Sequence, residues 1–199
     1  MTPVTIDQIL AGEYVSRFSA DQGEPPPPTW NFHDIIAGDD DLVAAGADLS
    51  VGANAPELTG SGFDGTPISV TPGDGTPYML VFLAHWCPHC NAEVPRLLDW
   101  KNAGLVPAEL NIVGVATAVA AEADNFPPAA WFSTKGWSWP VIVDEYTLAG
   151  VAGTAATAFG ASGWPYFVII GEDGLVKVRK SGELEVAELQ AIVDEALAS

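Results

Sequence analysis

The chain has 199 residues and a formal net charge of −19 at pH 7, from 26 acidic and 7 basic residues. A surface this acidic repels phosphate backbones and anionic lipid headgroups, which argues against a nucleic-acid-binding or membrane-surface protein. Apolar residues make up 48% of the chain and charged residues 17%, a balance that supports a sizeable core and argues against global disorder. No segment reaches the roughly 18 consecutive apolar residues that a membrane-spanning helix needs.

The N-terminal quarter differs in residue composition and hydrophobic pattern from the rest of the chain. Residues 1–20 carry apolar side chains at helical spacing and predict a short amphipathic helix. The stretch "DQGEPPPPTW" that follows favours a polyproline II spacer. We therefore expect an N-terminal extension over residues 1–52, with a proline-rich spacer and a potential role as a stalk, followed by one domain over residues 53–199.

Strand and helix patterns alternate through the predicted domain. Strands are predicted at 66–70, 78–84, 110–117 and 140–144, followed by a hairpin formed by 165–170 and 175–182. Helices are predicted from the cysteines to Gly104, then over 127–136, 147–160 and 185–198. This alternation, closed by a hairpin and a helix, is typical of an α/β domain with a mixed sheet.

The only two cysteines, Cys87 and Cys90, stand in "VFLAHWCPHCNAEVP", directly after an apolar run. A disulfide between them closes a loop of four residues and constrains the unfolded chain little. Chemical reactivity therefore explains the pair better than stabilisation of the fold by a disulfide. Cys87 lies at a predicted helix N-terminus, where unpaired N–H groups and the helix dipole favour a thiolate. Cys90 is near enough to resolve a mixed disulfide, so the spacing predicts a switchable dithiol/disulfide couple.

Three neighbours of the pair bear on its chemistry. Pro88 suits a first helical turn, where its missing N–H costs nothing. His89 either stabilises the Cys87 thiolate when cationic or is a solvated helix residue; we expect the first. His85 is expected to be a surface residue at the rim rather than a catalytic base. The cysteines and histidines are not spaced for a structural zinc site, and we expect no metal and no cofactor beyond the cysteine pair.

Several phrases together resemble a known family. "WCPHC" is followed by Pro95, and "GWP" at 163–165 stands just before an apolar strand. With "NAPELTGSGFDGTPISV" and "LVKVRKSGE", these phrases resemble the bacterial thiol-disulfide oxidoreductases of the TlpA/ResA type over about three quarters of the chain. The resemblance implies a thioredoxin-like fold, with a central mixed sheet and helices on both faces.

The resemblance also implies roles for individual residues. Cys87 is the exposed nucleophile and Cys90 the buried resolving cysteine. Pro165 is a cis-proline that faces the pair, and the backbone of Trp164 is available to pair with a substrate strand. Trp86 shields the surface of the site, so that Trp86, Trp164 and Pro165 form a substrate groove.

The sequence also departs from related patterns. Val81 stands where thioredoxins carry a buried Asp, and Trp164 stands where reductases often have Thr. The dipeptide Pro88-His89 resembles that of the disulfide oxidase DsbA. A peroxidase of the peroxiredoxin type is set aside, because Ala84 occupies the place of the Thr that polarises peroxide.

The predicted function is thiol-disulfide exchange with protein substrates, as a reductase of the TlpA/ResA type. A DsbA-like oxidase is the alternative, and a protein-docking or copper-delivery module is less favoured. The expected partners are protein thiols and disulfides and a redox partner that recycles the pair; the protein is expected to be a monomer. The family and the spacer favour a location outside the cytoplasm, with a leader or anchor absent from this sequence, over a cytoplasmic one.

Overall fold

The computed structural model describes residue 48 and residues 50–145 and 148–199. The chain divides after Ala47. The helix predicted over residues 1–20 and the proline-rich spacer lie outside the described residues.

The described residues form the strands β1 (Leu58–Ser61), β2 (Pro67–Val70), β3 (Tyr78–Leu83), β4 (Asn111–Ala116), β5 (Val141–Val143), β6 (Tyr166–Ile170) and β7 (Val176–Ser181), and the helices α1 (Pro88–Asn102), α2 (Pro128–Lys135), α3 (Thr154–Ala158) and α4 (Val186–Leu197). A five-stranded sheet with the order β5-β4-β3-β6-β7 forms the centre of the domain. The strands β3, β4 and β5 run parallel to one another, β6 runs antiparallel to β3, and β7 runs antiparallel to β6. The predicted mixed sheet is thus confirmed.

Both faces of the sheet are covered, because side chains alternate across β3 and every residue of that strand is buried. Met79, Val81 and Leu83 point into a cluster that contains the inner faces of α1, α2 and α4. Tyr78, Leu80 and Phe82 point into a second cluster, formed with α3 and with the hairpin of β1 and β2. The continuous apolar run in the sequence is therefore a central strand between two cores, as predicted.

Two element predictions need correction. The helix predicted over 147–160 is limited to Thr154–Ala158. The residues before it form a turn, in which Gly150 takes a left-handed φ of 76°. The buried carboxylate of Asp144 accepts hydrogen bonds from the N–H groups of Ala155 and Ala156, and so fixes where the helix begins. The strand β1, which the sequence pattern does not reveal, pairs antiparallel with β2.

The described part of the domain starts before the predicted boundary at residue 53. Gly52 donates its N–H to the carbonyl of Val176 at 2.8 Å, and Val176 donates to Ala53 at 2.9 Å. Asp48 forms an ion pair with Arg179 of β7 at 2.7 Å. These contacts attach Asp48, Gly52 and Ala53 to the edge strand β7. Within the residues that the structure describes, no helix is long and apolar enough to cross a membrane.

Candidate redox site

Cys87 is the N-cap residue of α1 and directly precedes its first helical residue. A turn leads from β3 to it, closed by the Cys87 N–H that donates to the carbonyl of Ala84 at 3.0 Å. Its backbone is extended (φ −73°, ψ 124°), and Pro88 takes the first helical position as predicted. Its thiol thus lies at the N-terminus of a 15-residue helix, beside the positive end of the helix dipole.

The second element of the site is the segment before β6. The Trp164–Pro165 peptide bond is cis. The Sγ of Cys87 donates a hydrogen bond to the carbonyl oxygen of Trp164 at 3.4 Å. The tertiary structure therefore brings together Cys87 and the Trp164–Pro165 pair, 77 residues apart in sequence.

The two cysteines differ less in exposure than the resemblance implies. Cys87 is 5% exposed and Cys90 is fully buried, so Cys87 is not the exposed residue that was expected. The physical reason is aromatic cover: Trp86 and Trp164, both half-buried, pack against the cluster that contains both cysteines. Burial, together with the neighbouring charges of Cys87 and Glu93, raises the pKa of Cys90.

Glu93 is a residue of the site that the sequence-based reasoning missed. It lies one turn after Cys90 on the buried face of α1, and its side chain is fully buried. Its Oε2 accepts the N–H of Leu184 at 2.9 Å and lies 3.5 Å from Nη1 of Arg96, while its Oε1 has no hydrogen-bond partner among the residues that the structure describes. Burial raises the pKa of this carboxyl to about 7. The signal was present: an acid three residues after a predicted buried cysteine lies on the same helix face.

His89 is exposed and faces a carboxylate. Its Nδ1 lies 2.7 Å from Oε1 of Glu183, in the segment between β7 and α4. The other oxygen of Glu183 pairs with Arg96, which also approaches Glu185 at 3.3 Å. The role of His89 in stabilising the Cys87 thiolate stays a prediction.

His85 is buried rather than at the surface, with 1% of its area exposed. Its Nε2 accepts the N–H of Ala120 at 3.2 Å, so Nδ1 carries the proton that is donated to the carbonyl of Asp124 at 2.8 Å. The indole N–H of Trp86 donates to the carbonyl of Ala118 at 2.7 Å. These contacts attach the turn before Cys87 to residues 118–124, between β4 and α2.

Asn91 connects the start of α1 to α2 through hydrogen bonds. Its side-chain amide donates to the carbonyl oxygens of Cys87 at 3.0 Å and of His85 at 3.3 Å. Its Oδ1 accepts the indole N–H of Trp131 at 2.9 Å. The backbone around Cys87 is thereby held from three sides: β3, α2 and the segment that follows β4.

This geometry agrees with comparisons to known proteins. The sequence model of the AhpC/TSA family matches residues 51–179. The soluble secreted antigen MPT53 of Mycobacterium tuberculosis (strain ATCC 25618 / H37Rv) is 39% identical over 74 residues, which are 37% of this chain and 38% of that protein. The chain thus matches well under half of the length of this curated relative.

Three solved structures share the fold. A thiol:disulfide interchange protein of the thioredoxin family from Chlorobium tepidum TLS superposes with a TM-score of 0.57 at 25% identity, over 75% of this chain and 99% of that one. A secreted disulfide oxidoreductase of Mycobacterium tuberculosis gives a TM-score of 0.53 at 25% identity, over 69% and 94%. StoA from Bacillus subtilis gives 0.56 at 19% identity, over 71% and 98%. Because the family match covers well over half of its length, the chain belongs to the AhpC/TSA family, with a thioredoxin-like fold.

Proposed function

We propose that this protein is a thiol-disulfide oxidoreductase that acts on protein substrates through Cys87 and Cys90. The observation that carries the proposal is the placement of Cys87 at the N-terminus of α1, 3.4 Å from the carbonyl oxygen of Trp164, with Cys90 buried one turn further on. The names of the Chlorobium and Mycobacterium structures, a thiol:disulfide interchange protein and a disulfide oxidoreductase, support the same chemistry.

The reaction proceeds by two exchanges of sulfur partners. The Cys87 thiolate attacks one sulfur of a substrate disulfide, and the other substrate sulfur leaves as a thiolate that takes up a proton. The Cys90 thiolate then attacks Sγ of Cys87, the substrate's remaining sulfur leaves, and a Cys87–Cys90 disulfide forms. Two electrons pass to the substrate, and an external dithiol must restore the reduced pair.

The protein backbone has a role in the first exchange. In the reduced pair, the Cys87 thiol donates a hydrogen bond to the carbonyl oxygen of Trp164. Once Sγ is bound to substrate it has no proton to donate, and this carbonyl becomes free to accept an N–H from the substrate chain. Trp86, Trp164 and Pro165 then form the groove that orients an extended segment.

Glu93 serves the second exchange. Cys90 is fully buried and its pKa is raised, so its thiol loses a proton only if a base is close by. Glu93 lies one turn away on the same helix face, and burial raises its pKa to about 7. One of its oxygens has no hydrogen-bond partner in residue 48, 50–145 or 148–199. A carboxyl with that pKa is suited to accept the proton of Cys90 near neutral pH and to return it in the reverse direction.

We propose the reductive direction. In DsbA-like oxidants a stabilised thiolate makes the disulfide a strong acceptor, at about −120 mV compared with about −270 mV for thioredoxin. Here the His89 ring faces the carboxylate of Glu183 at 2.7 Å, which offsets its charge. A less stabilised thiolate lowers the potential of the pair and favours electron donation. A DsbA-like oxidase is the alternative, because the Pro88-His89 dipeptide still stands at the helix N-terminus.

We place the protein outside the cytoplasm. The support is the relative MPT53, described as a soluble secreted antigen, and the secreted Mycobacterium disulfide oxidoreductase that shares the fold. A protein there requires a second redox protein that recycles the pair, since no reductant of low molecular mass is kept in excess outside the cell.

Trapping tests the mechanism. In Cys90→Ser the mixed disulfide at Cys87 has no resolving thiol, so covalent adducts should accumulate with a disulfide-bonded protein and disappear with dithiothreitol. Cys87→Ser is the matched control and should form none. No adduct in Cys90→Ser, under conditions where the wild type exchanges, contradicts the assigned roles.

The reduction potential, measured by equilibration with glutathione and tryptophan fluorescence, tests the direction. A value near or below that of thioredoxin supports the reductase, and a value near that of DsbA supports the oxidase. At pH 6, Glu183→Gln removes an anion beside His89 and should move the potential toward oxidising values. Glu185→Gln, which removes an exposed carboxylate that pairs with Arg96 at 3.3 Å, is the control and should move the potential less.

A further inference from the structure

Exposed apolar side chains gather on two segments near the redox pair. In the described part of the chain, six large apolar residues are exposed, and three of them lie in residues 118–127 and 148–153. These are Phe126 at 49%, Leu148 at 65% and Val151 at 50% exposed. We name these three residues the apolar rim.

Hydrogen bonds place both segments beside the turn that carries Cys87. The ring of Phe126 lies 6.0 Å from that of His85, two residues before Cys87. Ala118 accepts the indole N–H of Trp86, directly before Cys87. The next residue, Val119, accepts the N–H of Gly150 at 2.9 Å, which brings the 148–151 turn against the same segment.

The turn presents its two apolar residues together. Val151 donates its N–H to the carbonyl of Leu148 at 3.3 Å, which brings the two ends of the turn together. Gly150, at φ 76°, supplies the left-handed residue that such a turn needs. Apolar side chains exposed as a group next to a reactive site are typical of an interaction surface.

The charged side chains on the segments that carry the rim are of one sign. The sequence of residues 118–127 and 144–153 contains four carboxylates and no Lys or Arg. Glu122, Asp124 and Glu145 are exposed, whereas Asp144 is buried and caps α3. Near the pair, the exposed ring of His89 faces Glu183, so its charge is offset by a carboxylate. A partner that docks here meets apolar side chains bordered by carboxylates.

We propose that the apolar rim, with the carboxylates of Glu122, Asp124 and Glu145, is a docking surface for extended protein segments whose cysteine is flanked by apolar and basic residues. This proposal rests on the proposed function and specifies its substrate class. The apolar side chains of the segment contact the rim, and its Lys or Arg side chains face the carboxylates. An extended backbone suits the site because the carbonyl of Trp164 offers an acceptor for one of its N–H groups.

The test compares four peptides with the wild-type protein. Each peptide carries one cysteine joined by a disulfide to 2-mercaptoethanol. One residue beside the cysteine is Leu or Ser and another is Lys or Glu, which gives four combinations. Stopped-flow fluorescence with the reduced protein in excess gives the second-order rate constant for reduction of each peptide, as the Cys87–Cys90 disulfide forms and the peptide thiol and 2-mercaptoethanol are released. The Leu and Lys peptide should react about tenfold faster than either singly changed peptide, and the Lys preference should fall as salt is raised from about 0.05 to 0.5 M.

Variants locate the surface. Leu148→Ser and Val151→Ser should each remove most of the preference for Leu over Ser. Leu105→Ser is the matched control, because Leu105 is 42% exposed but follows α1, outside both segments. Glu145→Gln should reduce the preference for Lys over Glu, while Glu172→Gln, an exposed carboxylate in the β6–β7 turn, should not. Urea unfolding of each variant verifies that it is folded.

A small neutral disulfide separates the two proposals. Bis(2-hydroxyethyl) disulfide needs no docking surface, so wild type and all five variants should reduce it at equal rates. If wild type reduces it but shows equal rates with the four peptides, the docking proposal is wrong and the proposed function stands. If the controls change the preferences as much as the rim variants do, the docking proposal is also wrong. If wild type reduces neither the small disulfide nor any peptide, both proposals fail.

Discussion

Glu93 and Leu184 join the active-site helix to the segment that precedes α4 through one buried hydrogen bond, 2.9 Å from the Leu184 nitrogen to Oε2 of the carboxylate. Within the described part of the chain, the other oxygen of the same carboxylate has no hydrogen-bond partner, although the side chain is fully buried. A buried polar atom without a partner is costly, so its retention beside Cys90 is consistent with a chemical role.

Glu93→Gln should slow the release of mixed disulfides. The ionised carboxylate accepts the proton of Cys90, so in the wild type this rate should rise as pH increases through about 7, the pKa of Glu93. Glutamine keeps the acceptor for Leu184 but cannot take a proton, so the rate should fall by about a hundredfold at pH 8 and lose this inflection. The measurement is the pH dependence of the decay of a preformed Cys87–thionitrobenzoate adduct.

The matched control for that experiment is Glu185→Gln, which removes a carboxylate near Arg96 and leaves Glu93 in place. It should keep the inflection of the wild type. An inflection near pH 7 that persists in Glu93→Gln would mean that another group takes up the proton.

The same residue makes stability depend on pH. A folded-state pKa of about 7, above the ordinary value of 4.5, means that the folded protein binds the Glu93 proton more tightly than the unfolded chain does. The stability that the protonated Glu93 carboxyl contributes is therefore fully present below pH 4.5. It is lost as the pH rises through about 7. Glu93→Gln should remove this loss of about 1–3 kcal/mol in the free energy of unfolding. Urea unfolding of the reduced proteins at pH 5 and pH 8 checks it; an equal pH dependence in both proteins contradicts it.

His85 should stabilise the domain through the hydrogen bonds of both its ring nitrogens. His85→Leu leaves the N–H of Ala120 and the carbonyl of Asp124 without partners and should cost about 2–4 kcal/mol of unfolding free energy. His85→Asn retains one polar group near the Asp124 carbonyl and should cost less. Hydrogen exchange of the Ala120 amide should accelerate in both variants, and unchanged protection in His85→Leu would contradict the assigned bond.

Gly114→Ala should destabilise the domain through Trp137. A Cβ on Gly114, in the middle of β4, would lie 3.0 Å from Cζ2 of Trp137. The indole cannot retreat easily, because it packs edge-on against Phe132 and Trp139 at 5.6 and 5.0 Å between ring centroids. We expect a loss of about 1–3 kcal/mol in unfolding free energy. In a Trp137→Leu background the added cost of alanine should fall below about 0.5 kcal/mol; an unchanged cost would place the strain elsewhere.

Much of the fold was predictable because its signals are local. The apolar run of β3, the proline at the start of α1 and the turn between β6 and β7 each constrain the backbone through neighbouring residues. The α3 helix was predicted too long because small residues such as Ala and Gly fit a helix and a turn alike. Only the carboxylate of Asp144, brought there by β5, determines where that helix starts.

The sequence by itself determined the identity of the reactive pair, its place at a strand-to-helix junction and the mixed α/β architecture, since each depends on residues within a few positions of one another. Tertiary structure alone decided what surrounds the pair: the carbonyl of Trp164, the burial of His85, the Glu183 partner of His89 and the apolar rim. These depend on contacts between residues up to 94 positions apart. A pattern of neighbouring residues does not indicate which distant groups will bury a side chain or offset its charge. Burial and neighbouring charge govern the chemistry of that side chain.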